Sequence, residues 1–222
     1  MKNEKITGGF KKLKQDLAGM SFKEKAEHIW TYYRSWVIVA IAIVMLISIV
    51  SGSLVEISTK TVSAGICINV PLADGAEDHL NSGLEALKTG KGRERVYFKL
   101  DYTDASDMGN NINIVESVQA LVASKDLDYI IMDDAALSLL GVQDIFMNLE
   151  EFFTPEEREG LTIGTIQREG QTEAVPALVE ITDWPSVKQV AGSDNHYYFA
   201  VIGNTPRPDA VRTALELLKN YK

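Results

Sequence analysis

The chain has 222 residues, of which 31 are acidic and 22 are basic, so its formal net charge is −9. The acidic excess lies after residue 55, and this part therefore lacks the basic surface that binding to nucleic-acid phosphates requires. The single cysteine, Cys67, excludes an intrachain disulfide, and its apolar surroundings predict a buried, unreactive thiol.

An uncharged and mostly apolar interval runs from residue 35 to residue 55. At about 1.5 Å per helical residue, an interval of this length reaches roughly 31 Å, close to the ~30 Å hydrocarbon thickness of a bilayer. A core helix of a soluble domain is the alternative, but such a helix usually keeps a polar face. The interval therefore predicts a transmembrane helix over residues 35–55, with the lipid bilayer as a partner.

The charges on either side of this interval predict its orientation. Residues 1–34 carry eight basic and four acidic residues, whereas residues 56–222 carry 14 basic and 27 acidic residues. Because basic flanks stay on the cytoplasmic side, we expect a single-pass signal-anchor protein of the cell membrane. Its N-terminus would be cytoplasmic and its C-terminal domain extracellular. A signal peptide cleaved near residues 51–53 stays open as an alternative.

Residues 1–34 are predicted to form a basic cytoplasmic tail that includes a juxtamembrane amphipathic helix. Ser21 and Glu24 have the spacing of a capping box, which places the start of this helix at Ser21. Four residues then fall on one face of the helix: Phe22, Ala26, Ile29 and Tyr33.

Strand-like and helix-like patterns alternate over residues 56–222. This alternation predicts one acidic extracytoplasmic α/β domain built on a mixed sheet, and its length is enough for one sizeable core. Asn111 and Gly90 have the residue types of helix caps. The predicted strands cover 61–70, 95–100, 128–132, 161–167, 173–181 and 197–202, and the predicted helices cover 76–89, the residues after Asn111, 184–190 and 208–219.

Two stretches of this domain resemble parts of the bacterial extracellular solute-binding proteins, which have the type 2 periplasmic-binding fold. Residues 118–153 are similar to that family's helix, aspartate-flanked apolar strand (Asp128 to Asp133) and following Leu-containing segment. Residues 198–218 are similar to its late element of strand, Asn–Thr–Pro turn and Leu-rich helix. The resemblance implies the architecture of one lobe and carries over no ligand-binding residue. As a whole, the chain looks like small single-pass envelope proteins of Gram-positive bacteria.

The most polar stretch begins at Asp101 and contains Asp104 and Asp107. Carboxylates and amides in a glycine-bearing loop suit Ca²⁺, which takes about six to eight oxygen ligands. The spacing differs from that of an EF-hand, however, and a solvated loop before a helix accounts for the same residues.

Asp133 and Asp134 follow a buried strand, at the carboxyl end where α/β sheets often place ligand sites. Capping of the next helix by one of them is the alternative. The candidate ligand-binding residues are thus Asp101, Asp104, Asp107, Asp133 and Asp134, and we expect no bound cofactor or metal.

The histidines do not complete a recognisable catalytic set. His28 belongs to the tail, so only His79 and His196 can meet in the C-terminal domain, and neither has the spacing of a nucleophile–base or metal motif. We therefore predict that the protein is not an enzyme. An envelope hydrolase would require His196 to lie beside an acidic residue and a serine.

Together these observations favour a membrane-anchored, non-enzymatic accessory domain that presents a solute-binding-protein-like lobe to a membrane or envelope protein. The alternative is a sensor or receptor for a small solute or for calcium, which predicts a concave site near Asp101 and Asp133.

Overall fold

The computed structural model describes residues 21–24, 27, 30, 34–35, 38–39, 41–48, 59–101, 108–168, 170, 173–190 and 194–222. Internal contacts divide the chain into two units, Met1–Ser58 and Thr59–Lys222. The boundary expected at residue 56 lies outside the described residues, and each unit is treated by itself.

In the N-terminal unit, the predicted capping box is present. The N–H of Glu24 donates to Ser21 Oγ at 3.4 Å, and the N–H of Ser21 donates to Glu24 Oε2 at 2.7 Å. The first of the two satisfies an amide of the helix's opening turn, which has no partner within the helix. Ala26, Ile29 and Tyr33 of the predicted apolar face lie outside the described residues.

The transmembrane helix predicted over residues 35–55 is wrong. No helix in the described part of the chain is both long enough and apolar enough to cross a bilayer. The description of the protein as a single-pass, signal-anchored membrane protein, which depended on that helix, is wrong as well. The predicted sides of the two termini stay a prediction from charge alone.

Residues 59–222 form a mixed α/β domain around one six-stranded sheet. β1, β2 and β3 are parallel, whereas β6 is antiparallel to β3, β5 to β6 and β4 to β5. The order across the sheet is β2-β1-β3-β6-β5-β4. The strands are β1 (Thr59–Ile68), β2 (Arg93–Asp101), β3 (Tyr129–Asp133), β4 (Thr162–Gln167), β5 (Ala174–Glu180) and β6 (Tyr197–Val201).

Helices cover both faces of this sheet, because strand residues alternate between two hydrophobic cores. Tyr129 and Ile131 of β3 join the core under α1 and α6, and Ile130 and Met132 join the core under α2 and α3. All of β3 is buried, as its unbroken apolar sequence predicts. The helices are α1 (Ala76–Glu85), α2 (Met108–Ala123), α3 (Asp134–Leu140), α4 (Leu149–Phe152), α5 (Pro155–Arg158) and α6 (Pro208–Lys219).

Three local predictions are wrong. α1 ends at Glu85, so Gly90 (φ +70°) belongs to the following loop, and Asn111 lies inside α2 rather than before it. The segment 184–190 is not helical: its backbone bonds to residues 71–73 instead, through Ala73 N–H to the Ser186 carbonyl and Lys188 N–H to the Pro71 carbonyl, both at 2.8 Å.

A buried ion pair joins distant parts of the domain at the amino end of β3. The Asp128 carboxylate is fully buried and accepts hydrogen bonds from Ala64 N–H (2.8 Å), Thr205 Oγ1 (2.5 Å) and Arg207 Nε (2.8 Å). Arg207 also donates to the Lys125 carbonyl at 3.0 Å. The ion pair thus connects residues 118–153 with residues 198–218, since Asp128 lies in the first stretch and Arg207 in the second.

We predict that Asp128→Asn lowers the free energy of unfolding by about 3–5 kcal/mol, because it leaves the Arg207 charge without its buried partner. Urea unfolding followed by far-UV circular dichroism measures the change. Glu85→Gln is the control: it breaks the exposed Lys88–Glu85 pair and should cost about 1 kcal/mol or less. Equal effects of the two substitutions would contradict the structural role of Asp128.

Candidate functional site

One end of the sheet, where several strands finish, carries a group of polar residues that we call the polar edge. It is formed by the carboxyl ends of β1, β2, β3 and β5 and the amino end of β6. The register fixes this arrangement, since Ile68 of β1 pairs with Asp101 of β2, Asp133 of β3 with Tyr197 of β6, and Glu180 of β5 with Tyr198 of β6. The polar edge comprises Asn69, Asp101, Asp133, Asp134, Glu180, His196 and Tyr198.

Asp133 uses its carboxylate to hold the polar edge together. It is 7% exposed, and its Oδ1 accepts from Ala136 N–H at 2.8 Å, so it is the N-cap of α3. The Asn69 side-chain amide donates to both Asp133 oxygens at 3.3 Å. The same Asn69 donates its backbone N–H to the Asp101 carbonyl at 3.2 Å. Asp101 and Asp133, on different strands, are thus linked through Asn69.

Asn69 adopts a left-handed backbone conformation, with φ of 59°. Asparagine tolerates this region better than most residues with a side chain. Asn69 directly follows β1, and in this conformation its backbone N–H bonds to β2 while its side chain bonds to β3.

A second group of polar residues surrounds Asp134. Its carboxylate accepts from His196 N–H at 2.9 Å and from Tyr198 Oη at 3.1 Å. The imidazole of His196 lies beside Glu180, with Nδ1 3.0 Å from Oε1. This hydrogen bond to Glu180 raises the pKa of His196, and partial burial together with the Asp134 charge raises the pKa of Tyr198 to about 12.

An open groove of about 440 Å³ lies next to the polar edge, and we call it the edge groove. Three polar residues line it, Asn69, Asp101 and Asn195. Leu100, in its wall, is 51% exposed although it is apolar. The apolar lining residues are Cys67, Val70, Pro71, Leu100, Val190 and Tyr197.

Of the five predicted site residues, one lines the edge groove, two are hydrogen-bonded within the polar edge, and two lie outside the described residues. Asp101 lines the edge groove and pairs with Lys99 at 2.7 Å, whereas Asp133 and Asp134 are engaged in the hydrogen bonds above. Asp104 and Asp107 lie outside the described residues. Within the described ranges, no group of three or more His, Cys, Asp or Glu side chains is arranged to hold a metal ion.

Sequence reasoning missed two members of the polar edge. Asn69 and Glu180 were not candidates, yet each is the second-last residue of a predicted strand and stands at or just after the end of an observed one, as Asp101 and Asp133 do. A search for a polar residue at the carboxyl end of every predicted strand would have found both, because parallel strand ends share an edge.

The geometry required of a hydrolase is met only in part. His196 lies beside an acid, Glu180, but among the described residues no serine side chain forms a hydrogen bond with its imidazole. The nearby hydroxyl of Thr182 accepts from Tyr197 N–H at 3.0 Å and donates to Glu180 at 3.3 Å. The contacts of His196 are those of an ion pair that fixes the start of β6.

The His196–Glu180 pair predicts a pH-dependent contribution to stability. A raised histidine pKa in the folded protein means that the contribution is complete below about pH 6.5, the ordinary histidine pKa, and is lost as the pH rises through the raised value. We expect the melting temperature of the native protein to exceed that of His196→Gln at pH 5.5, with the difference shrinking toward pH 9. In a Glu180→Gln background most of this pH dependence should vanish; if it persists unchanged, Glu180 is not the partner responsible.

Cys67 is predicted to resist thiol reagents in the folded protein. It is 1% exposed, and burial raises the pKa of its thiol to about 12, so the reactive thiolate is scarce at neutral pH. We expect maleimide labelling at pH 7.5 to be at least about a hundredfold slower than in denaturant. Val142→Cys, at a 51% exposed position, is the control and should label at once. Rapid labelling of native Cys67 would show that the edge groove reaches the sulfur.

Comparison of the chain with protein-family models, with curated proteins and with solved structures found no match. The resemblance to solute-binding proteins therefore stays a prediction from sequence, and the function has to be argued from the geometry of the polar edge and the edge groove.

Proposed function

We propose that residues 59–222 are a non-catalytic binding domain whose edge groove takes an apolar side chain carried by a basic segment of a partner protein. The observation that carries this proposal is an open, mostly apolar groove set beside a polar edge whose side chains are already hydrogen-bonded to one another.

The size and walls of the edge groove support binding. Its volume of about 440 Å³ falls in the range of ligand pockets, ~300–1,000 Å³. Each Å² of apolar wall that a ligand removes from water contributes about 25 cal/mol to the free energy of binding. Leu100 supplies such surface at the mouth of the groove, where half of its side chain is exposed.

The charge around the edge groove favours a basic partner. Among the described residues, carboxylates outnumber basic groups on this side of the domain, where the basic groups are Lys99, Lys188, which pairs with Asp74, and the titratable His196. A surplus of one sign steers an oppositely charged segment into place and selects against acidic ones. The carboxylates are those of Asp101, Asp133, Asp134, Glu180 and Asp194.

The hydrogen bonds of the polar edge support a binding role over a catalytic one. Asp133 caps α3, Asp134 holds His196 and Tyr198, and Glu180 is paired with the imidazole. A general base must be within hydrogen-bond reach of the proton that it removes from a substrate. Here these acceptors fix protein groups in place, which gives the edge groove a firm rim.

Affinity capture with matched variants of the full chain tests the proposal. Leu100→Asp places a charge in the wall of the edge groove, and Val142→Asp is the control, since both side chains are 51% exposed and only Leu100 lines the groove. We expect one partner to be retained by the native protein and by Val142→Asp, and to be reduced at least about tenfold with Leu100→Asp. The partner's cross-linked segment should be basic and carry an apolar residue.

Two results would count against this function. One is recovery of the same partner by Leu100→Asp in undiminished amount, or of no partner above background by the native chain. The other is a rise in melting temperature with a small solute that Leu100→Asp abolishes. Since a ligand that binds only the folded state stabilises it, that result would favour the small-solute sensor instead.

A further inference from the structure

β2 forms an outer edge of the sheet, and among the described residues no strand lies on its far side. None of its nine residues is buried, whereas every residue of β3 is. The Asp101 carbonyl points toward β1, since it accepts from Asn69 N–H. Alternate residues of a strand direct their backbone groups to the same side, so those of Val96, Phe98 and Leu100 point away from β1.

The side chains of β2 alternate between a basic row and an apolar row. Arg93, Arg95, Tyr97 and Lys99 share one face with Asp101 at its end, and Val96, Phe98 and Leu100 share the other with Glu94 at its start. Arg93 is exposed, and no carboxylate in the described part of the chain pairs with it. Arg95 donates to Thr61 Oγ1 at 3.1 Å and Lys99 pairs with Asp101, so both charges stay on the strand's surface. This basic row belongs to a chain with a net charge of −9.

From this edge we infer that β2 binds an extended acidic segment of a partner protein, which adds to the sheet as a seventh strand. The backbone groups of Val96, Phe98 and Leu100, which face no other strand among the described residues, supply the hydrogen bonds of strand addition. In the added strand, acidic residues would lie beside Arg93, Arg95 and Lys99. Apolar residues would lie on the other face, beside Val96, Phe98 and Leu100. The segment recognised is therefore one in which acidic and apolar residues alternate.

The charge of β2 argues against self-pairing of this edge and against a purely protective role for its basic residues. Antiparallel pairing with β2 of a second copy, centred on Tyr97, would place Arg95 opposite Lys99, and like charges that are directly opposed are unfavourable. Arg93 and Asp101, at the ends of the strand, would be oppositely charged in that register. Protection of an open edge by charge is common, but the opposite edge of this sheet, β4, has no charged residue in Thr162–Gln167. The basic row is thus particular to β2.

Binding of a designed peptide to the full-length chain tests the inference. The probe is a fluorescein-labelled peptide, acetylated and amidated, of four Glu–Val repeats. One control has lysine in place of each glutamate, and another has the same composition with the glutamates and valines in separate blocks. We expect only the alternating acidic peptide to raise the fluorescence anisotropy, and its affinity to fall as salt increases.

Strand addition also predicts where amide exchange slows. By NMR, the acidic peptide should protect the amides of Val96, Phe98 and Leu100 while those of β4 stay unchanged. A peptide held by charge alone would bind without this alternate pattern, and that result would overturn strand addition.

Charge-reversal variants test whether the acidic peptide binds at β2 or responds only to the net charge of the protein. Arg93→Glu combined with Arg95→Glu should weaken binding of the acidic peptide at least about tenfold. Lys125→Glu combined with Lys222→Glu changes the net charge by the same amount away from β2 and should leave the affinity within about twofold. Circular dichroism confirms that each variant is folded.

Three outcomes overturn the inference: no binding of the acidic peptide to the native chain, equal binding of the lysine or blocked peptides, and equal weakening by both pairs of substitutions. Protection of β2 amides that grows with protein concentration, without peptide, would show self-pairing instead. The edge groove shares only Leu100 and Asp101 with β2, and its variants are different, so the proposed function and this inference can fail separately.

Discussion

The arrangement of the domain depends on how one buried charge is satisfied. Asp128 has no exposed surface, and an ionised carboxylate in such a place must be compensated by hydrogen bonds and an opposite charge. Its partners lie 64, 77 and 79 residues away, in β1 and in the connection from β6 to α6. The hydrogen bonds that compensate the Asp128 charge therefore fix β1 against β3, and they also hold the start of α6 over the sheet.

The two aspartates that bracket β3 have different roles because they lie at opposite ends of a short strand. Asp128, at the amino end, is closed off by Arg207 and Thr205. Asp133, at the carboxyl end, caps α3 and accepts from Asn69 at the margin of the polar edge. Asp128 therefore joins β3 to β1 and to the start of α6, whereas Asp133 joins β3 to α3 and to Asn69, which lines the edge groove.

Much of the domain's secondary structure follows from patterns in the sequence, and the exceptions have physical causes. The strands and the helix 208–219 were predicted close to their observed bounds, because apolar periodicity and the prolines and glycines beside it are local signals. The segment 184–190 was predicted helical and is not, since its hydrogen bonds go to residues 71–73. The transmembrane helix was predicted from hydropathy and length alone, and no helix in the described part of the chain is long and apolar enough to span a membrane.

The candidate site was predictable only in part. Asp101, Asp133 and Asp134 stood out because acidic residues that follow apolar strands are visible in the sequence. Their linkage through Asn69, and the meeting of Glu180 with His196, depend on the strand order, which places β6 between β3 and β5. That order also bears on folding: among the described strands, β6 comes last in the chain and links β2-β1-β3 to β5-β4. Before β6 joins, these strands can pair only as two incomplete half-sheets, each with an open inner edge, so the sheet closes late and through contacts between residues far apart in the sequence.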